Sequence, residues 1–144
     1  MSQPHPRVAL VAIRDRALSL DEVATAVRRP EHGAVVTFTG VVRDHDGARS
    51  VTGLDYSAHP SALDLLAASC ARVAEAYPGA VVAAVHRTGP LALGETAVVL
   101  ATGAPHRGEA FAASHALIDD LKATVPIWKH QSFADGSDEW VGLP

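Results

Sequence analysis

Apolar and polar positions along the chain repeat with two different periods, and the places where the period changes mark the elements. "VALVAIR" at Val8–Arg14 is a short apolar run suited to a strand. "SLDEVATAVRR" from Ser19 opens with a capping box, Ser19 as N-cap and Glu22 three residues on, which predicts a short helix. "GAVVTFTGVVR" from Gly33 to Arg43 is rich in valine and threonine without a helical period and reads as a long, mostly buried strand. "DHDGARS" is its turn, and "VTGLDYSAH" resumes as a strand. From Pro60 the apolar positions Leu63, Leu66, Cys70, Val73 and Tyr77 fall at helical spacing, until Pro78 and Gly79 end the helix.

"AVVAAVHRTG" then reads as a strand, "PLALGE" as a loop and "TAVVLATG" as another strand. "APHRGEAFAASHALIDDLKATV" predicts a second long helix, with Pro105 near its start and Phe111, Leu117, Ile118 and Leu121 along its apolar face. Pro126 prevents that helix from running on, and "IWKHQSF" and "EWVG" flank the turn signal "ADGSD" as a terminal hairpin. This order of elements is that of an α+β protein, with two long helices on a mixed, largely antiparallel sheet. No repeat, low-complexity tract or linker interrupts it. The 144 residues, 48% hydrophobic with mean hydropathy +0.13, fit one domain spanning 1–144.

Charge narrows the function. A net charge of -4 and a pI near 6.0 argue against a general nucleic-acid or membrane-surface binder, so any positive site must be local. One cysteine excludes an internal disulfide and a cysteine-based zinc site. No apolar run approaches the roughly 20 residues that span a bilayer, and no secretory signal pattern opens the chain; the expectation is a soluble, cytoplasmic protein.

Three basic constellations remain: Arg43 beside "DHDG", His106 with Arg107, and Lys122 with Lys129 in "LKATVPIWKHQ". The last pair are the only lysines, the other ten basic residues being arginine. Unlike arginine, a desolvated lysine can lose its proton and act as acid, base or nucleophile. "PHRGE" opens a helix, where free backbone N–H groups and the positive dipole end favour a phosphate-sized anion. Each constellation also has a plainer explanation. Arg107 suits a solvated surface charge, His106 a local cap, Lys122 a cation at a helix C-terminus and Lys129 a guard on an edge strand. Residues 107 and 122 stand about 22 Å apart along a helix, so one site containing both needs two subunits, as in a symmetric dimer. The eight histidines show no HExxH or HxH pattern, so no metal site is expected, and no glycine-rich phosphate loop speaks for ATP or NAD. Cys70, on a helical apolar stripe, reads as core; any reacting sulfur would come from outside.

"GAVVTFTGVVRDHDG", "VHRTGPLALGE", the "HR" that opens the last long helix, "LKATVPIWKHQ" and the "W" and "V" of "EWVG" resemble, in order and separation, motifs of the large, catalytic subunit of molybdopterin synthase. The likeness runs from about Gly33 to Gly142. It implies an α/β hammerhead-type fold with a small additional β subdomain, and a homodimer that binds a small ubiquitin-like sulfur-carrier subunit at each end to form a heterotetramer. It also implies conversion of cyclic pyranopterin monophosphate to molybdopterin, with two sulfurs drawn from the carrier's C-terminal thiocarboxylate and no further cofactor. The chain closes on "VGLP" rather than Gly-Gly, as expected of the catalytic partner and not the carrier. By position, Lys122 matches the family's essential lysine and Lys129 its second pocket lysine. Arg43 matches the arginine after "TFTG", and His106 and Arg107 match a substrate-binding pair from the neighbouring subunit. The flanking Val41, Val42, His130 and Gln131 are implied pocket residues. Val41 stands where some members carry lysine, and Pro105 where a small residue is usual. The competing reading is a non-catalytic dimeric scaffold whose basic groove holds an acidic tail or a phosphorylated ligand. A hydrolase of small cyclic phosphates is a third, for which the sequence offers no convincing base or metal.

Overall fold

The structure, a computed structural model, describes residues 5–142; the closing "LP" of "VGLP" lies outside them. Along the chain run β1 (Val8–Arg14), α1 (Leu20–Ala26), β2 (Ala34–Val41), β3 (His45–Asp46), β4 (Arg49–Ala58), α2 (Ala62–Ala76), β5 (Val81–Arg87), β6 (Gly89–Leu91), β7 (Thr96–Ala104), α3 (Arg107–Thr124), β8 (Ile127–Phe133) and β9 (Asp138–Val141). One sheet has the order β1-β5-β7-β2, with β1 and β5 parallel and the other pairs antiparallel. A second has the order β3-β4-β8-β9, with β6 also paired to β4. The architecture is α+β, and the second sheet is the additional β unit.

Helices cover both faces of the first sheet, which is why β5 and β7 are almost continuously apolar. On one face, Leu66, Cys70 and Val73 of α2 and Leu117 and Leu121 of α3 pack with Val82, Ala84 and Leu100. On the other, Val23 and Val27 pack with Val81, Ala83, Val85 and Val99. The period-2 geometry of a strand sends alternate residues of β5 to the two clusters. A third cluster, Val42, Leu54, Leu91 and Ala97, ties the two sheets together.

Four expectations change. β2 alternates between half-buried and exposed positions because it forms an edge of its sheet, rather than being mostly buried. "PLALGE" is not all loop: Leu91 is buried and Gly89–Leu91 pairs with β4, a strand too short to show a period. "DHDGARS" is a hairpin, β3 turning into β4 through Gly47 at φ 63°. The helical stripes hold at Leu66, Cys70, Val73, Leu117 and Leu121 but not at their first positions. Phe111 is 61% and Leu63 45% exposed, while Ala110, Ala113, Ser114, Leu117 and Leu121 form the buried face of α3. Alanine and serine close to the sheet let the helix sit tightly, and a rule that seeks large residues overlooks them.

Candidate functional site

Three chain segments bring charge into the crevice between the sheets. The residue before Pro126 is sterically kept out of the helical region, and Val125 accordingly ends α3 with φ -92° and ψ 122°. Lys122 is therefore held in the last turn. Two residues beyond Val125 the chain enters β8, whose antiparallel register sets Lys129 opposite Tyr56 of β4. Arg43 lies two residues past the end of β2. Lys122, Lys129 and Arg43 line one cavity of about 400 Å³. Phe38, Val41, Val98, Leu121 and Ile127 supply apolar wall, and Tyr56 and His86 supply polar ring atoms. No carboxylate lines the cavity among the described residues.

The cations are managed from behind. The Gln131 amide Nε2 donates to Asp46 Oδ2 at 2.8 Å, and Asp46 Oδ1 lies 4.0 Å from Arg43 Nη2. That amide bond, helped by Lys129, Arg43 and Arg49, holds the Asp46 carboxyl below its usual range. Burial pushes the Lys129 ammonium below its ordinary value; Asp46 opposes the change, and Lys122 and Arg43 add to it. His86 is also pushed down, mainly by burial and further by Lys122, while its bond to the Arg87 carbonyl works the other way. Burial raises Tyr56, so its hydroxyl stays protonated. Cys70 is fully buried in the α2–α3 core with its thiol pushed up to about 12, which removes it from chemistry here.

The sequence-derived residues separate into groups. Arg43, Lys122, Lys129 and Val41 meet at the cavity. Gln131 sits one layer back on Asp46, and Val42 is buried in the cluster joining the sheets. His130, next to Lys129 on a strand, points to the other face, stacked on Trp140 at 4.3 Å with Nε2 2.5 Å from Asp138. His106 and Arg107 are exposed at the opposite end of α3, and the His106 side chain makes no capping bond. Sequence reasoning singled out none of Tyr56, Phe38 and His86, which also line the cavity. The available signal was a lone histidine closing the apolar run "AVVAAV". Among the described residues, no group of three or more His, Cys, Asp or Glu is placed to hold a metal.

Fold and cavity together define an α+β protein with a cationic pocket lined by Arg43, Lys122 and Lys129, with His106 and Arg107 standing outside it on the same chain. Residues 13–124 match the family model described as MoaE protein. The chain is 45% identical over 131 residues to molybdopterin synthase catalytic subunit 1 of Mycobacterium tuberculosis, covering 90% of this chain and 88% of the relative. It is 37% identical over 126 residues to the molybdopterin synthase catalytic subunit of Bacillus subtilis, covering 87% and 80%. The crystal structure of molybdopterin synthase from Staphylococcus aureus superposes with a TM-score of 0.86 at 33% identity, covering 92% of this chain and 96% of that one. The chain belongs to the molybdopterin synthase catalytic subunit (MoaE) family.

Proposed function

We propose that this cavity converts cyclic pyranopterin monophosphate to molybdopterin, adding two sulfurs from the C-terminal thiocarboxylate of a small ubiquitin-like carrier subunit. The observation that carries the reading is the convergence of Arg43, Lys122 and Lys129 in a carboxylate-free cavity of about 400 Å³, the size of a pterin-like ligand with its phosphate. A cyclic phosphate must open and sulfur must add at carbon, so the site needs anion binding and proton movement. Arg43 binds the phosphate, and His106 and Arg107 of the neighbouring subunit complete that binding. Lys122 moves protons, and Lys129 steadies anionic intermediates or the incoming thiocarboxylate. Gln131 holds Asp46 behind Arg43. No cofactor is required, because sulfur arrives on the carrier. The buried Cys70 supports delivery from outside. No described helix is long and apolar enough to cross a membrane, and we assign the reaction to the cytoplasm.

Lys122→Arg separates this reading from a scaffold that only holds a tail. Sulfur transfer is expected to fall at least about 100-fold while the carrier still binds, since arginine keeps charge but cannot surrender a proton. Full dithiolene formation by this variant would reduce Lys122 to a charge.

A further inference from the structure

His86 is the residue in the cavity whose chemistry the proposed reaction leaves unused. It lies near the end of β5, with its backbone held by Ile13 of β1 on one side and Val98 of β7 on the other. Its ring meets that of Tyr56 edge-on, with centroids 5.0 Å apart and planes at 79°. Its Nδ1 is 2.8 Å from the Arg87 carbonyl oxygen. A carbonyl only accepts, so Nδ1 carries the hydrogen and the neutral ring keeps its lone pair on Nε2. That nitrogen makes no hydrogen bond among the described residues, and the residue lines the same cavity as Lys122.

The neighbours explain why such a group matters. The charged side chains lining the cavity are Lys122 of α3, Lys129 of β8 and Arg43 after β2, all cations, and the Tyr56 hydroxyl of β4 stays protonated. On its own strand, Arg87 is paired with Glu95 at 2.6 Å, and Asp46 is engaged by Gln131, so neither carboxylate is free to serve as base. An ammonium at neutral pH is an acid. Burial and the Lys122 charge keep the imidazole uncharged and ready to accept.

We propose that His86 is the proton acceptor of this pocket, taking a proton through Nε2 from an O–H or N–H of the bound substrate as sulfur adds. The inference rests on the sulfur-transfer reading above. In the step, the substrate X–H bond breaks, a new N–H bond forms at Nε2, and the bonding pair stays on the substrate atom facing the Lys122 ammonium. The imidazolium keeps its Nδ1–H on the Arg87 carbonyl, which stabilises the positive ring. The Lys122 ammonium gives a proton to the oxygen released when the cyclic phosphate opens, and the proton held by the imidazolium then restores the ammonium, so both groups return to their starting forms. Base and acid are thereby divided between His86 and Lys122.

Two variants and one spectrum test this. His86→Asn keeps a donor for the Arg87 carbonyl, and His86→Gln places a non-basic amide near Nε2; both are checked for folding by circular dichroism and for carrier binding. Each is expected to bind the carrier within about twofold of the wild type and to lose at least about 100-fold in single-turnover rate. The pH–rate profile of the wild type should show an acidic limb at the midpoint that nitrogen-15 NMR gives for His86, and that limb should be missing in His86→Gln. The same spectrum should place the neutral proton on Nδ1, with the midpoint rising in Lys122→Gln. A variant with wild-type rate, a slow variant that retains the limb, or a proton on Nε2 overturns the assignment. A wild type that gains no sulfur from carrier overturns the parent reading instead.

Discussion

Lys129 shows how much of a residue's role is set by what lies behind it. Burial and the neighbouring cations Lys122 and Arg43 favour its neutral form, while Asp46, held by Gln131 and lying beside Arg43, opposes them most, with Glu139 adding to it. Asp46→Asn can keep the amide contact to Gln131 while removing the charge. The Lys129 midpoint, followed by NMR titration, should then move further down; an unchanged midpoint would show that Asp46 does not govern it. At this scale the sequence was partly readable. The lysine pair stood out by being the only lysines, whereas His130 and Lys129 are separated by strand parity, which assigns adjacent residues to opposite faces. His86 looked ordinary because its partners, Tyr56 and Lys122, come from distant segments.

The elements that carry these residues are held by close approach and by polar locks between helices. Asp120 of α3 accepts from Ser69 and from Arg72 Nη2, the latter at 2.7 Å, pinning α2 to α3 one turn from the helix end that carries Lys122. Arg7 Nη1 donates to the carbonyls of Ala74, Tyr77 and Ala80 at 2.7, 3.2 and 2.8 Å, closing the C-terminal end of α2. A Cβ on Gly103 of β7 would lie 2.4 Å from the Val27 carbonyl oxygen, a backbone atom beyond α1 that cannot move aside cheaply. Gly103→Ala should therefore lower stability by about 1–3 kcal/mol in denaturant titration. Gly108→Ala, in the first turn of α3 with nothing within 4 Å, should raise it by about 0.4–1 kcal/mol. Equal effects at the two glycines would refute the close approach. Ser19 does cap α1 by accepting from the Glu22 amide, and Pro126 does lie just past α3, because caps and prolines act locally. The Glu22 carboxylate, however, turns to Arg14 instead of completing the capping box. The pairing of β6 and the salt-bridged helix lock depend on chain segments far apart, which local periodicity does not report.

For the whole molecule, the linkage between charge and folding predicts a two-stage acid response. His86 titrates below its ordinary 6.5 when folded, so as pH falls from 6.5 the unfolded chain takes up a proton that the native chain refuses, and stability declines until the native midpoint is passed. Asp46, Glu95 and Asp120 are shifted down, so their contribution is complete above ordinary values of 3.8 to 4.5 and is lost as pH falls through the native midpoints. Chemical denaturation across pH should show both stages, and His86→Gln should flatten the first. The two-subunit site is tested by mixing. Lys122→Ala and Arg107→Ala chains, each inactive alone, should on random exchange regain about a quarter of wild-type activity, because half the dimers hold one intact pocket of two. No recovery, with exchange demonstrated, would place Arg107 outside its neighbour's site. The order of elements and the separation of residues 107 and 122 were legible in advance, since helix length alone sets them at opposite ends of α3. The crevice between the sheets was not, because it arises where β2, β5 and β7 of one sheet meet β4 and β8 of the other. The most direct test of the account is a single turnover of the purified protein with cyclic pyranopterin monophosphate and thiocarboxylated carrier, with the pterin product followed by mass spectrometry. Gain of two sulfurs, lost in Lys122→Ala, is the predicted result; tight carrier binding with no sulfur on the pterin would contradict it.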